Sequence, residues 1–151
     1  MTDIFSLKKD TPKRVLLVGF RNKELVAVAH KLRERGVDIV YWTGTKTEGW
    51  HAAANDKKKF PDTIFHDSIE CIQAIPAPGV NSSQFAPIGM ELVRSMLACE
   101  SQVLSMMNSV DYTNLSVSRK KQIYYEYLRY WQGVLIHFKI DAVLSPDIPH
   151  A

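Results

Sequence analysis

The chain has 151 residues, of which 46% are hydrophobic and 23% are charged, as is typical of one globular domain with a hydrophobic core. The formal net charge is only +3, and the basic residues fall into short scattered clusters without interleaved aromatic residues, which argues against nucleic-acid binding. No apolar stretch approaches the ~20 residues of a membrane helix, so we expect a cytoplasmic protein. Cys71 and Cys99 lack a CxxC spacing, so we expect neither a metal site nor a disulfide.

The first part of the chain predicts a strand, a helix and a second strand. After a polar lead over residues 1–13, residues 14–19 form an almost unbroken apolar run, which is typical of a parallel strand buried on both faces. Apolar residues recur at helical spacing over residues 23–35, with Asn22 as the expected N-cap. Residues 37–42 predict the next strand, which completes a βαβ unit.

The segment over residues 43–87 is harder to interpret, because glycine and proline interrupt it repeatedly. Residues 63–66 predict a third short strand, and the rest is typical of a loop. A loop-rich stretch of this length in a compact domain is often functional.

Two long amphipathic helices are predicted over residues 87–108 and 116–139, followed by a last strand over residues 140–145. The second helix is rich in aromatic residues. Its helical stripe assigns four of them to the core, namely Tyr124, Tyr127, Trp131 and Phe138. Tyr125 and Tyr130 lie off this stripe and are freer to contact a ligand.

Together these elements predict a Rossmann-like α/β domain over residues 14–151, with a mainly parallel sheet of about four strands flanked by helices. A doubly wound domain would place another helix after the last strand. We therefore expect the fold to be incomplete at its C-terminus, with a second domain outside this sequence.

Candidate binding residues follow the predicted strands, because ligands of open α/β sheets collect outside the carboxyl ends of the strands. Arg21 and Asn22 follow the first strand, where Arg21 is either a contact for an anion or a sugar or a solvated loop arginine. Asp67 follows the third strand, where it either accepts hydrogen bonds from substrate hydroxyls or caps a helix. A single glycine at residue 19 in place of GxGxxG disfavours NAD binding.

Asp147 and His150 follow the last predicted strand, in a turn whose two prolines restrict the backbone. An imidazole that titrates near neutral pH can act as a general base or donate a hydrogen bond to a phosphate or a sugar. The alternative is that His150 packs at the start of the next helix.

Three segments of the chain, residues 124–131, 140–144 and 146–150, resemble the N-terminal part of capsular or surface-polysaccharide biosynthesis proteins. Those proteins are similar to glycosyltransferases of the GT-B type. The resemblance implies two facing Rossmann-like domains, the first binding mainly the acceptor and the second mainly the sugar nucleotide. Its specific part covers about thirty residues, from residue 116 onwards, and the first βαβ unit agrees only in fold.

This resemblance implies that the chain is an acceptor-side domain that holds no cofactor and is inactive alone. Arg21, Asn22, Asp67 and Asp147 would bind a sugar or glycan acceptor, and His150 would deprotonate the attacking hydroxyl. The partner would be the missing C-terminal domain. The resemblance is also compatible with peripheral membrane association of the longer protein and with a homodimer. The alternative is a non-catalytic ligand-binding or regulatory module that holds a small anionic or sugar ligand in the same place.

Overall fold

The computed structural model describes residues 13–45, 47–107 and 114–146. The strands and helices in chain order are β1 (Arg14–Val18), α1 (Lys23–Glu34), β2 (Asp38–Gly44), α2 (Glu48–Asn55), β3 (Ile64–Asp67), α3 (Ser68–Ile72), α4 (Met90–Met106), α5 (Val117–His137) and β4 (Ala142–Leu144). A short 3₁₀ turn, Ser82–Gln84, lies between α3 and α4. None of these helices is both long and apolar enough to cross a membrane.

The four strands form one parallel sheet in the order β3-β2-β1-β4. The chain builds the sheet outward from β1 to β3 and then returns through α5 to place β4 on the other side of β1. The predicted Rossmann-like α/β architecture is thereby confirmed. The strand order reverses between β1 and β4, which is the position where such sheets bind ligands.

Local sequence signals explain where the helices begin. The Asn22 side chain accepts a hydrogen bond from the Leu25 N–H at 2.8 Å, and the Ser116 hydroxyl accepts one from the Arg119 N–H at 3.2 Å. These bonds satisfy N–H groups that have no partner within the first turn of a helix. Gly36 follows α1 with a φ of 83°, a conformation that glycine adopts without steric cost.

The helix α2 corrects the interpretation of residues 43–87 as mainly loop. The sequence suggests Gly44 as a helix breaker, but this glycine instead lets α2 pack closely on the sheet, because a Cβ on Gly44 would collide with the Trp50 indole. Trp50 is buried beneath the helix. Gly49 lies in the first turn of α2, where a glycine is better tolerated than in a helix interior.

The sheet has two differently packed faces. Val15 and Leu17 of β1 point toward α1 and α2, together with Ile39 and Trp42 of β2. Leu16 and Tyr41 point toward α5. A register shift places Leu16 beside Tyr41 while Val15 pairs with Ile39, and this bulge lets Ile39 and Trp42 reach the same face. We call these the α1/α2 face and the α5 face.

A third cluster lies between the two long helices. Its buried members are Met107, Ile123, Tyr124 and Leu128. The first half of α5 therefore packs on α4 and its second half on the sheet.

Candidate functional site

A cleft of about 420 Å³ opens on the α5 face, at the carboxyl edge of the sheet. Val18 and Thr43 lie at the carboxyl ends of β1 and β2, Val143 is the central residue of β4, and Tyr127 and Trp131 come from α5. Thr43 is buried, and its hydroxyl lies 3.4 Å from the Gly19 N–H. The cleft therefore occupies the point between β1 and β4 where the strand order reverses, which is the default ligand position for this type of sheet.

The wall formed by α3 and α5 is neutral. Ser68, Cys71 and Tyr127 line it. Burial, followed by the nearby Asp67 carboxylate, raises the pKa of the Cys71 thiol to about 12. Burial also raises the pKa of Tyr127. Both groups are therefore protonated near neutral pH and can donate hydrogen bonds, but neither is a thiolate or a phenolate nucleophile.

Trp131 supplies the one side-chain polar atom of the cleft wall that is both buried and unpartnered among the described residues. Its Nε1–H is shielded from solvent and makes no hydrogen bond of good geometry there. The neighbouring acceptor is the Tyr127 hydroxyl, because the indole lowers the pKa of Tyr127 and so offsets part of the rise caused by burial. The ring packs edge-on against Tyr41, with centroids 5.7 Å apart. The Trp131 ring therefore lines the cleft, while its indole N–H lies beneath the surface of the wall.

A chain of buried hydrogen bonds lies directly behind this wall. The Ala77 N–H donates to the Tyr130 hydroxyl at 3.0 Å, and the Tyr130 and Tyr41 hydroxyls are 2.7 Å apart. The Tyr41 hydroxyl lies 2.7 Å from Nδ1 of His66, whose Nε2 lies 2.8 Å from the Ile75 carbonyl oxygen. The chain links β2, β3, α5 and the loop after α3.

The direction of every bond in this chain follows from its two ends. A carbonyl oxygen only accepts, so Nε2 of His66 carries a proton and donates to Ile75. Nδ1 of the neutral ring then accepts from Tyr41, which in turn accepts from Tyr130. Burial lowers the pKa of His66 and raises the pKa of both tyrosines, so the neutral forms that this pattern requires are the stable ones.

Sequence reasoning did not find this chain. His66 and Tyr41 are 25 residues apart and Tyr41 and Tyr130 are 89 apart, so no local spacing reports their contact. The expectation that Tyr130 is freer to contact a ligand is wrong: it is 4% exposed and belongs to the core of the α5 face. Tyr125 is half-buried, and its hydroxyl donates to Glu100 at 3.3 Å.

The predicted site residues that the structure describes lie outside the lining of the cleft. Arg21 is exposed, and its carbonyl accepts a 2.6 Å hydrogen bond from the Thr47 hydroxyl beside the start of α2. Asn22 caps α1, as expected. Asp67 is 8% exposed and accepts from the Ile69 N–H at 2.9 Å, so the interpretation of Asp67 as a helix cap is confirmed. Asp67 directly precedes Ser68 of the cleft wall.

Asp147 and His150 lie outside the described residues. Within residues 13–45, 47–107 and 114–146, no group of three or more His, Cys, Asp or Glu side chains is arranged to hold a metal ion. No protein family, curated protein or solved structure matches the chain.

Proposed function

We propose that the chain is the acceptor-side domain of a glycosyltransferase of surface or capsular polysaccharide synthesis, and that the acceptor glycan occupies the cleft on the α5 face. The observation that carries the proposal is the position of this cleft, at the strand-order reversal of a Rossmann-like sheet with Trp131 and Tyr127 on one wall. A volume of about 420 Å³ suits one or two sugar rings, and small-ligand sites combine such apolar walls with a few polar groups.

The cleft offers a defined set of contacts to a sugar. Trp131 and Tyr127 supply aromatic rings on which a sugar can pack, and the Ser68 and Thr43 hydroxyls are neutral polar groups at the strand ends. The general base assigned by the resemblance is His150. The sugar nucleotide would bind to the second domain, and the cytoplasmic location and the peripheral membrane association remain predictions.

A second candidate function is a ligand-binding module without catalysis. It is favoured by the neutral state of the described lining, where burial keeps Cys71 and Tyr127 protonated. Such a surface holds a ligand but does not take up a proton at neutral pH. The same fold serves either function.

Binding is tested by titrating the protein with maltose and cellobiose and following tryptophan fluorescence. Trp42 and Trp50 are buried, so a ligand in the cleft changes the emission of Trp131. The Trp131→Phe variant should lose this signal but retain binding by calorimetry, whereas Trp131→Leu should bind at least roughly tenfold more weakly, since one anchoring aromatic contributes on the order of 1–3 kcal/mol. Tyr125→Leu is the matched control, because Tyr125 lies on the same helix outside the cleft.

Equal weakening in Tyr125→Leu and Trp131→Leu, or no binding of any glycan, would rule out the cleft as an acceptor site. The transferase activity is tested with the longer protein and sugar nucleotides, where His150→Ala should reduce turnover by roughly 10²-fold or more. Glycan binding without any transfer identifies the binding module instead.

A further inference from the structure

The charge of the protein is divided unevenly along the chain. Residues 13–63 contain eleven Lys and Arg against six Asp and Glu, a net charge of +5. Residues 64–151 contain six Lys and Arg against eight Asp and Glu, a net charge of −2. The first of these segments forms β1, α1, β2 and α2, so both helices of the α1/α2 face belong to the positively charged part of the chain, which attracts anions.

A groove of about 270 Å³ lies between α1 and α2 on this side of the molecule. Lys23, at the start of α1, and Lys59, just after α2, both line it. Ala27, Gly49 and Ala52 are also part of its lining. Because these residues have little or no side chain, a ligand can approach the helix backbones closely between the two lysines.

The lysines around the groove form no close ion pair within the described part of the chain. Lys23 and Lys59, with the neighbouring exposed Lys57 and Lys58, lie more than 4 Å from every carboxylate of the described residues. Lys31 of the same helix α1 differs, since its Nζ lies 2.7 Å from Glu34. The pKa of Glu34 is lowered mainly by Lys31 and, at longer range, by the Lys59 charge, but lysines without a close carboxylate partner on a concave surface still favour an anionic ligand.

Two further side chains shape the groove. The imidazole of His30 packs against the Phe60 ring with centroids 5.1 Å apart, which holds a second type of hydrogen-bonding group at the groove. Asp56 is the acidic residue of the lining, and its Oδ1 accepts from the Lys59 N–H at 3.1 Å. This bond holds one oxygen of the Asp56 carboxylate toward the backbone of the turn that carries Lys59.

We propose that the groove between α1 and α2 binds a phosphate-bearing ligand, with Lys23 and Lys59 contacting the phosphate oxygens. This site is separate from the cleft on the α5 face and does not depend on the proposed function. A phosphomonoester in solution and an anionic lipid headgroup share this chemistry, and the experiment distinguishes between them.

The test uses two probes. Ribose 5-phosphate is titrated into the ¹⁵N-labelled protein, and vesicles of phosphatidylglycerol or phosphatidylcholine are used in a sedimentation assay. We expect amide shifts for residues of α1 and of the turn after α2, and a dissociation constant at least roughly threefold higher in the double variant Lys23→Gln/Lys59→Gln. The double variant Arg94→Gln/Lys139→Gln removes the same charge from exposed positions elsewhere and should bind normally.

Shifts with ribose 5-phosphate support a soluble ligand. Binding confined to phosphatidylglycerol vesicles and lost in Lys23→Gln/Lys59→Gln supports a lipid headgroup. If neither probe binds, the proposed site is wrong. If both double variants weaken binding equally, the lysines act only through net charge, and the proposed site is again wrong.

Discussion

On the α1/α2 face of the sheet, the Trp42 ring packs against Phe60 and Phe65 with centroid distances of 5.3 Å each. On the α5 face, Tyr41, one residue earlier in the same strand, ends in a hydrogen-bonded chain with His66. Both side chains are completely buried. The first face is filled by aromatic packing, and the second has a polar core that must satisfy a donor and an acceptor at each position.

This difference has a consequence for function. Aromatic packing depends mainly on the shape and volume of the rings. A directional hydrogen-bond chain also fixes the orientation of each of its members. The chain includes Tyr130, which directly precedes Trp131 on α5, and the rings of His66 and Trp131 lie 6.1 Å apart. The polar core thus fixes the wall of the cleft, while the groove on the opposite side rests on the aromatic core.

The largest expected effect is on the aromatic face. Trp42→Ala should lower the free energy of unfolding by about 3–5 kcal/mol, since it leaves a cavity under α1 and α2 and removes the 2.9 Å bond from the indole to the Phe20 carbonyl. Urea denaturation followed by circular dichroism measures this loss. Trp42→Phe, which keeps one ring, should lose less; a loss below about 1 kcal/mol in Trp42→Ala would contradict the tight packing of this face.

A smaller loss is expected for Tyr41→Phe, which preserves the ring and removes only the hydroxyl. Nδ1 of His66 then has no donor and the Tyr130 hydroxyl has no acceptor, at a cost of about 1–3 kcal/mol for buried groups left without partners. Tyr125→Phe is the matched control, since its hydroxyl makes one 3.3 Å bond near the surface. Equal losses in the two variants, measured by urea denaturation, would mean that the chain adds nothing to ordinary packing.

The sequence predicts the elements of both faces to different degrees. Buried runs and helix caps locate β1, α1 and β2, because their signals lie within a few residues of each other. The helix α2 was missed because Gly44 and Gly49 were interpreted as breakers. The role of Gly44 depends on Trp50 packing over the end of β2, and Gly49 faces Val26 of α1; both are tertiary contacts.

The candidate cleft shares its position with the predicted site but not its residues. The rule for strand carboxyl ends points to that edge of the sheet, and the cleft reaches it at Val18 and Thr43. Asn22 and Asp67 follow strands but cap helices, since a side chain at a strand end that begins a helix is drawn to the free backbone N–H groups. His66 and Tyr130 carry no local signal, because their roles are set by partners from distant elements.

The smallest expected effect is the pH dependence of stability, which should arise on the α5 face. Burial lowers the pKa of His66 in the folded protein, whereas an unfolded chain takes up the proton near pH ~6.5. Stability from this group is therefore complete above that pH, and it is lost as the pH falls from ~6.5 toward the lowered pKa, at no more than about 1.4 kcal/mol per pH unit.

Urea denaturation between pH 7.5 and 5 should show a steeper loss of stability in the wild type than in His66→Gln. His51→Gln changes an exposed histidine that contacts the Trp50 ring on the other face, and it should keep the wild-type slope. Even if His66→Gln folds poorly, NMR of the wild type tests the same point, because the His66 ring should remain neutral as the pH falls below ~6.5, the pKa of an unperturbed imidazole. Protonation of the His66 ring near pH ~6.5 would show that the hydrogen-bond chain does not hold His66 in its neutral form, and the contrast between the two faces would then be one of packing alone.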